Sequence, residues 1–127
     1  MAKLLCLIVL LTFGCGQNTW DEPTTIVWEE TFKATGLPPT VEFVYDSVCQ
    51  GRQHTFEYNG KCYLGLYFYA NNFAIVEWLG SHSKSAFAHE LLHAWQSHRG
   101  ITDYLHENEE WRIIVPLANE NLLLRGY

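Results

Sequence analysis

The sequence predicts an α+β domain, a small and mostly antiparallel sheet followed by two C-terminal helices. Short runs rich in β-branched and aromatic residues fill the middle of the chain, separated by turn signals at Asn59-Gly60 and Asn71-Asn72. After Gly80 the texture changes to good helix formers, introduced by the serines of Ser81-His82-Ser83-Lys84-Ser85 and closed by Gly100. Strands first and helices after is the order of an α+β domain. With 127 residues, 48% of them hydrophobic and 15% aromatic, the chain can bury one compact core and is too short for two. Its 8 Lys+Arg stand against 14 Asp+Glu, a formal charge of -6 with no dense basic stretch, which excludes nucleic acid as a partner class.

The N-terminus reads as a leader. Lys3 precedes the apolar run Leu4 to Phe13, whose ten residues fall well short of the roughly 20 needed to span a bilayer. Leu11-Thr12-Phe13-Gly14-Cys15-Gly16 resembles a bacterial lipoprotein processing site. The expected organisation is therefore a signal peptide over residues 1–14, a polar tether over 15–25 and a domain over 26–127, with Cys15 as a lipidation site. The expected location is periplasmic or on the outer surface, with membrane attachment through that lipid. Export leaves Cys49 and Cys62 as an even pair in an oxidising compartment, and a disulfide between them is expected. A small metal site made from Cys49, His54 and Cys62 is the competing reading.

Within the domain, Ile26 to Phe32 is a short strand or a helical turn, and Gly36-Leu37-Pro38-Pro39 breaks whatever precedes it. Val41 to Tyr45, Thr55 to Tyr58, Cys62 to Tyr69 and Phe73 to Trp78 are strand candidates. The last of these is the candidate edge for pairing with an extended peptide. One helix is expected over Ser85 to Arg99. Another is expected over Leu105 to Val115, where Pro116 either ends it or opens a last helix through Leu124.

Of six histidines, five lie between His82 and His106. His89-Glu90-Leu91-Leu92-His93 is an HExxH string. On a helix, positions i and i+4 share a face, so the two imidazoles can reach one ion at roughly 2.0 to 2.1 Å. Glu90 is offset enough to stay off the ion and near enough to take a proton from a bound water. Leu91 and Leu92 let the rest of the helix enter the core.

A catalytic zinc needs a third protein ligand. His98 follows His93 by five residues, a rotation of roughly 140° on a continuous helix, and points elsewhere. At about 100° per residue, Trp111, Ile114, Val115, Leu117, Ala118 and Leu122 share one arc of the following helix with Glu107 and Glu110. An inward carboxylate is costly to bury without a counter-charge, and an ion would be one. Glu107 and Glu110 are both candidates for that third position.

From Phe73 to about Leu124 the chain resembles the gluzincins, zinc peptidases in which HExxH on one helix is joined by a Glu from the next. The resemblance implies a minimal zincin-like domain holding one Zn2+ through His89, His93 and Glu110, with Glu90 as general base. Glu120 is a loose match to the acid that orients a histidine ligand in that group, and Asn119 or Asn121 could serve instead. A weaker resemblance is to SprT-like zincins, on His106-Glu107-Asn108-Glu109-Glu110-Trp111, where the third ligand is a histidine.

The reaction implied is peptide-bond hydrolysis of a peptide or protein substrate by zinc-activated water, with Tyr104, His98 and Arg112 as candidate oxyanion donors. The alternative is an exported zincin-fold binding protein with structural zinc and no catalysis. Retention of Glu90 favours the enzyme, because a structural site needs only its ligands.

Overall fold

The computed structural model describes residues 21–78 and 84–127. The expected signal peptide, Cys15 and His82 lie outside the described residues. The chain begins with a short helix α1 (Asp21–Thr24) that runs into a π-helical segment, Thr25–Thr31, wound around Ile26, Val27 and Trp28, all fully buried. Pro23 is also buried, so the packed unit starts ahead of residue 26 and the expected tether is helical from residue 21 onward.

Strand β1 (Thr40–Val44) follows the Gly-Leu-Pro-Pro break. Two small hairpins come next, β2 (Val48–Cys49) with β3 (Arg52–Gln53) and β4 (Phe56–Tyr58) with β5 (Lys61–Tyr63). Strands β6 (Gly65–Phe68) and β7 (Phe73–Glu77) complete the main sheet, whose order is β1-β7-β6. Antiparallel pairing prevails, as expected, except that β1 runs parallel to β7 with Thr40 opposite Phe73 and Val44 opposite Glu77. The hairpins form the crossover that a parallel pair requires.

Two sequence expectations change here. Phe73 to Trp78 supplies the central strand of the sheet, and the edge strands are β1 and β6. The run Cys62 to Tyr69 divides at Leu64 into β5 and β6, which belong to different sheets.

Helix α2 (Lys84–His98) packs one side of this sheet. Phe87, Ala88, Leu91, Leu92 and Ala94 are fully buried on it, together with Val76 of β7, and Val41 and Phe43 of β1 pack against the same cluster. Helix α3 (Glu110–Leu124) starts five residues later than expected and runs through Pro116 unbroken. Val115, Ala118 and Leu122 are buried as the helical arc requires, and Trp111 and Ile114 pack beside them, but Leu117 is exposed. Among the described residues no helix is long and apolar enough to cross a membrane.

Cys49 and Cys62 are disulfide-bonded, tying the first hairpin to the second across a Cα–Cα distance of 5.7 Å. The bond stabilises the fold by roughly 3 kcal/mol on the loop-entropy estimate. It also consumes both thiolates that the competing Cys49, His54, Cys62 metal site would need.

Candidate metal centre

Helix α2 carries His89 and His93 one turn apart, as the i, i+4 spacing dictates, with their rings 4.9 Å apart between centroids. Beyond α2 the chain turns at Gly100 and enters the loop that delivers His106. Asp103 shapes this loop: its Oδ1 accepts the Glu107 backbone N–H at 2.9 Å, and its Oδ2 accepts the Asn108 N–H at 2.8 Å and the Trp111 indole N–H at 2.7 Å. These backbone hydrogen bonds hold the Asp103 carboxyl below the usual carboxylate range. Asn108 Oδ1 then accepts the Glu110 N–H and helps to start α3. His106 itself sits at φ +59°, a left-handed conformation that is uncommon outside glycine though histidine enters it more readily than most residues.

His89, His93 and His106 come together with one ring nitrogen each, no two more than 4.8 Å apart. His93 Nε2 and His106 Nε2 are 3.3 Å apart. Two imidazole nitrogens bound to one tetrahedral ion at 2.0 to 2.1 Å stand about 3.3 Å apart, so this spacing suits a divalent cation. The Trp111 ring lies 4.5 Å from His89, 4.7 Å from His93 and 4.5 Å from His106, an apolar wall against which all three rings rest. Burial and the neighbouring His106 lower His89 to about 4, and burial with the other two histidines lowers His93 to about 4. Both are neutral near pH 7 and keep a lone pair for an ion.

Glu110, the expected third ligand, is turned away from this cluster. Its two oxygens accept the Arg99 guanidinium nitrogens in a fork, at 2.8 Å each, and Gln96 Nε2 donates to it at 3.3 Å. Arg99 holds its carboxyl below the usual range. Glu110 is partly buried, and its counter-charge is a guanidinium from the end of α2. Glu107 is exposed in the loop and enters only through its backbone N–H. Among the described residues, the group that could hold a metal ion together with His89 and His93 is completed by His106.

Glu90 is buried at 7% exposure, and that burial pushes its carboxyl up to about 8. Gly65 of β6 lies directly over it: a Cβ there would stand 3.0 Å from Glu90 Oε2 and 3.0 Å from its Cγ. Only a residue without a side chain lets the strand pass this close. A cleft of about 300 Å3 lies along β6, lined by Gly65, Tyr67 and Tyr69 on one side and by His89, Glu90, His93, Tyr104 and His106 on the other. A second hollow of about 220 Å3 adjoins it at Leu64, Ser85 and Ala86, sharing His89 and Glu90.

Of the three oxyanion candidates only Tyr104 lines the cleft. His98 faces the opposite way, its ring nitrogens 2.8 Å from Ala94 O and 3.0 Å from Leu37 O, where it braces the Gly36 turn and packs on Trp28. Arg112 is exposed beside Glu109 at 3.5 Å. Asn121 Nδ2 donates to Thr31 Oγ1 at 2.9 Å, and Glu120 is exposed, so neither orients a histidine of the cluster.

Tyr69 has no signal in the sequence beyond its place at the end of a strand candidate. Its hydroxyl is 3.2 Å from His93 Nδ1, its ring lies 4.9 Å from that of Tyr67 and 6.2 Å from that of Tyr104, and burial raises its phenol above the usual range. Neither a family model nor a curated protein nor a solved structure matches the chain.

Proposed function

We propose that the protein is a zinc-dependent metallopeptidase that hydrolyses peptide bonds, with His89, His93 and His106 as the metal-holding residues and Glu90 as general base. The observation that carries this reading is the convergence of three histidine nitrogens beside a buried carboxylate from the same helix turn, under an edge strand. In helix motif the chain is similar to the gluzincins, and in having a histidine as third donor it is closer to the SprT-like zincins. When bound, zinc supplies Lewis acidity toward the scissile carbonyl and an acidified water. A cation held by the histidines would favour the ionised form of the nearby Glu90 carboxylate, offsetting the upward push of burial, and in that form Glu90 would take a proton and return it to the leaving amine. Tyr104 on the cleft rim is the candidate donor to the oxyanion.

An extended peptide fits the free edge of β6, whose outward backbone groups can pair with it while Gly65 keeps that strand close to Glu90. The leader-like N-terminus belongs to the same proposal: an exported enzyme, lipid-anchored through Cys15. Retention of a desolvated Glu90 supports catalysis over mere binding, since metal holding alone does not use it.

Metal analysis of wild type and Glu90→Gln, combined with hydrolysis of casein and a peptide library, tests the reading. Zinc in both proteins with hydrolysis by wild type alone is expected. Zinc in both with hydrolysis by neither overturns the assignment as a peptidase.

A further inference from the structure

We propose that Tyr69 is a positioning residue for the metal centre, accepting the Nδ1–H of His93 and thereby aiming His93 Nε2 into the cluster; this rests on the metal-holding reading above. An imidazole carries its two nitrogens on opposite sides of the ring, so only one can face an ion while the other needs a partner of its own. His93 Nε2 is the nitrogen that meets His106, and Nδ1 is the one 3.2 Å from the Tyr69 hydroxyl. For Nε2 to offer a lone pair, the proton sits on Nδ1, and the phenol oxygen receives it. The same geometry gives Tyr69 a positioning role, because its hydroxyl partners the His93 nitrogen other than the one that meets His106.

Tyr69 is well fixed for this task. Its ring is held against Tyr67, which is itself anchored by a 2.7 Å bond from its hydroxyl to Asn72 Oδ1. Asn72 in turn donates to Leu37 O at 3.2 Å. Tyr69 also follows β6 immediately in the chain, so one short segment carries Gly65 over the general base and Tyr69 onto the second histidine. A peptide that pairs with the β6 edge therefore docks on the element that orients His93, linking substrate binding to ligand geometry.

Tyr69→Phe tests the proposal, because it removes the hydroxyl and leaves the ring stack. Zinc affinity is measured by competition with a chromogenic chelator, and the His93 Nδ1–H proton is sought by NMR in the zinc-loaded proteins. Zinc affinity is expected to fall roughly tenfold or more, the usual scale for losing the partner of a ligating histidine. The Nδ1–H signal should be visible in wild type and lost to solvent exchange in Tyr69→Phe. Equal affinity and an equally protected Nδ1–H in the variant overturn the proposal. Failure of wild type itself to bind zinc overturns the metal-holding reading instead, so the two failures are distinguishable.

Discussion

Gly65 and Glu90 are in such close approach that a methyl group on Gly65 would meet the Glu90 carboxylate at 3.0 Å. The contact joins an edge strand to the residue proposed as general base, and it predicts that Gly65→Ala is a catalytic lesion in a protein that still folds. The carboxylate must rotate or β6 must lift, at an overpacking cost of about 1–3 kcal/mol. Hydrolysis should fall at least about tenfold, the equivalent of roughly 1.4 kcal/mol in the barrier, with zinc content unchanged. Undiminished kcat/KM in Gly65→Ala would mean that Glu90 does not work from this position.

His106→Ala and Glu110→Ala should separate cleanly. His106→Ala removes one of three converging nitrogens, and stoichiometric zinc should be lost on equilibrium dialysis. Glu110→Ala removes the fork to Arg99 and should retain zinc. Because that pair is partly exposed, its loss should lower stability by no more than about 1 kcal/mol, read as a small shift in the urea midpoint. Zinc loss in Glu110→Ala with retention in His106→Ala would restore Glu110 as the ligand.

What the sequence makes legible follows the range of the interaction. His89, Glu90 and His93 are legible because helix geometry alone puts them together, and the disulfide because Cys49 and Cys62 are the pair left when Cys6 is assigned to a leader and Cys15 to a lipid. His106 is less legible, since its delivery depends on a left-handed backbone and on the hydrogen bonds of Asp103, which carry no periodicity. For Glu110, helical phase cannot tell whether a cation or the Arg99 guanidinium answers its charge. The parallel β1–β7 pairing spans the two hairpins and left no local trace, which is why β7 read as an edge. Tyr69 was missed because its role exists only once β6 is laid across α2.

Asp103→Ala should loosen the delivery of His106. Its two oxygens accept three N–H groups, from Glu107, Asn108 and Trp111, and nothing else named in the loop replaces them. The expected result is a fall in zinc affinity of about tenfold with little change in the far-UV circular dichroism spectrum, because the loop that carries His106 is no longer pinned by Asp103. Unchanged affinity would mean that His106 reaches the cluster without Asp103.

The pH dependence of the metal-free protein follows from the opposing shifts of Glu90 and the two helix histidines. The Glu90 carboxyl is raised from 4.5 to about 8, so between these values the native state keeps a proton that the unfolded chain has released, and stability falls as pH rises. His89 and His93 are lowered from 6.5 to about 4, so between these values the unfolded chain binds protons that the native state refuses, and stability falls as pH drops. Two histidines outweigh one carboxyl on the acid side, and above 6.5 only the carboxyl still acts, which puts the maximum of this cluster's contribution near pH 6.5. Glu90→Gln removes the alkaline limb alone. Urea midpoints measured with chelator present should therefore show its advantage over wild type widening from pH 4.5 to about 8 and levelling off above. A constant gap across that window would mean that Glu90 is not desolvated beneath Gly65, and the strand-over-carboxylate arrangement would lose its energetic basis.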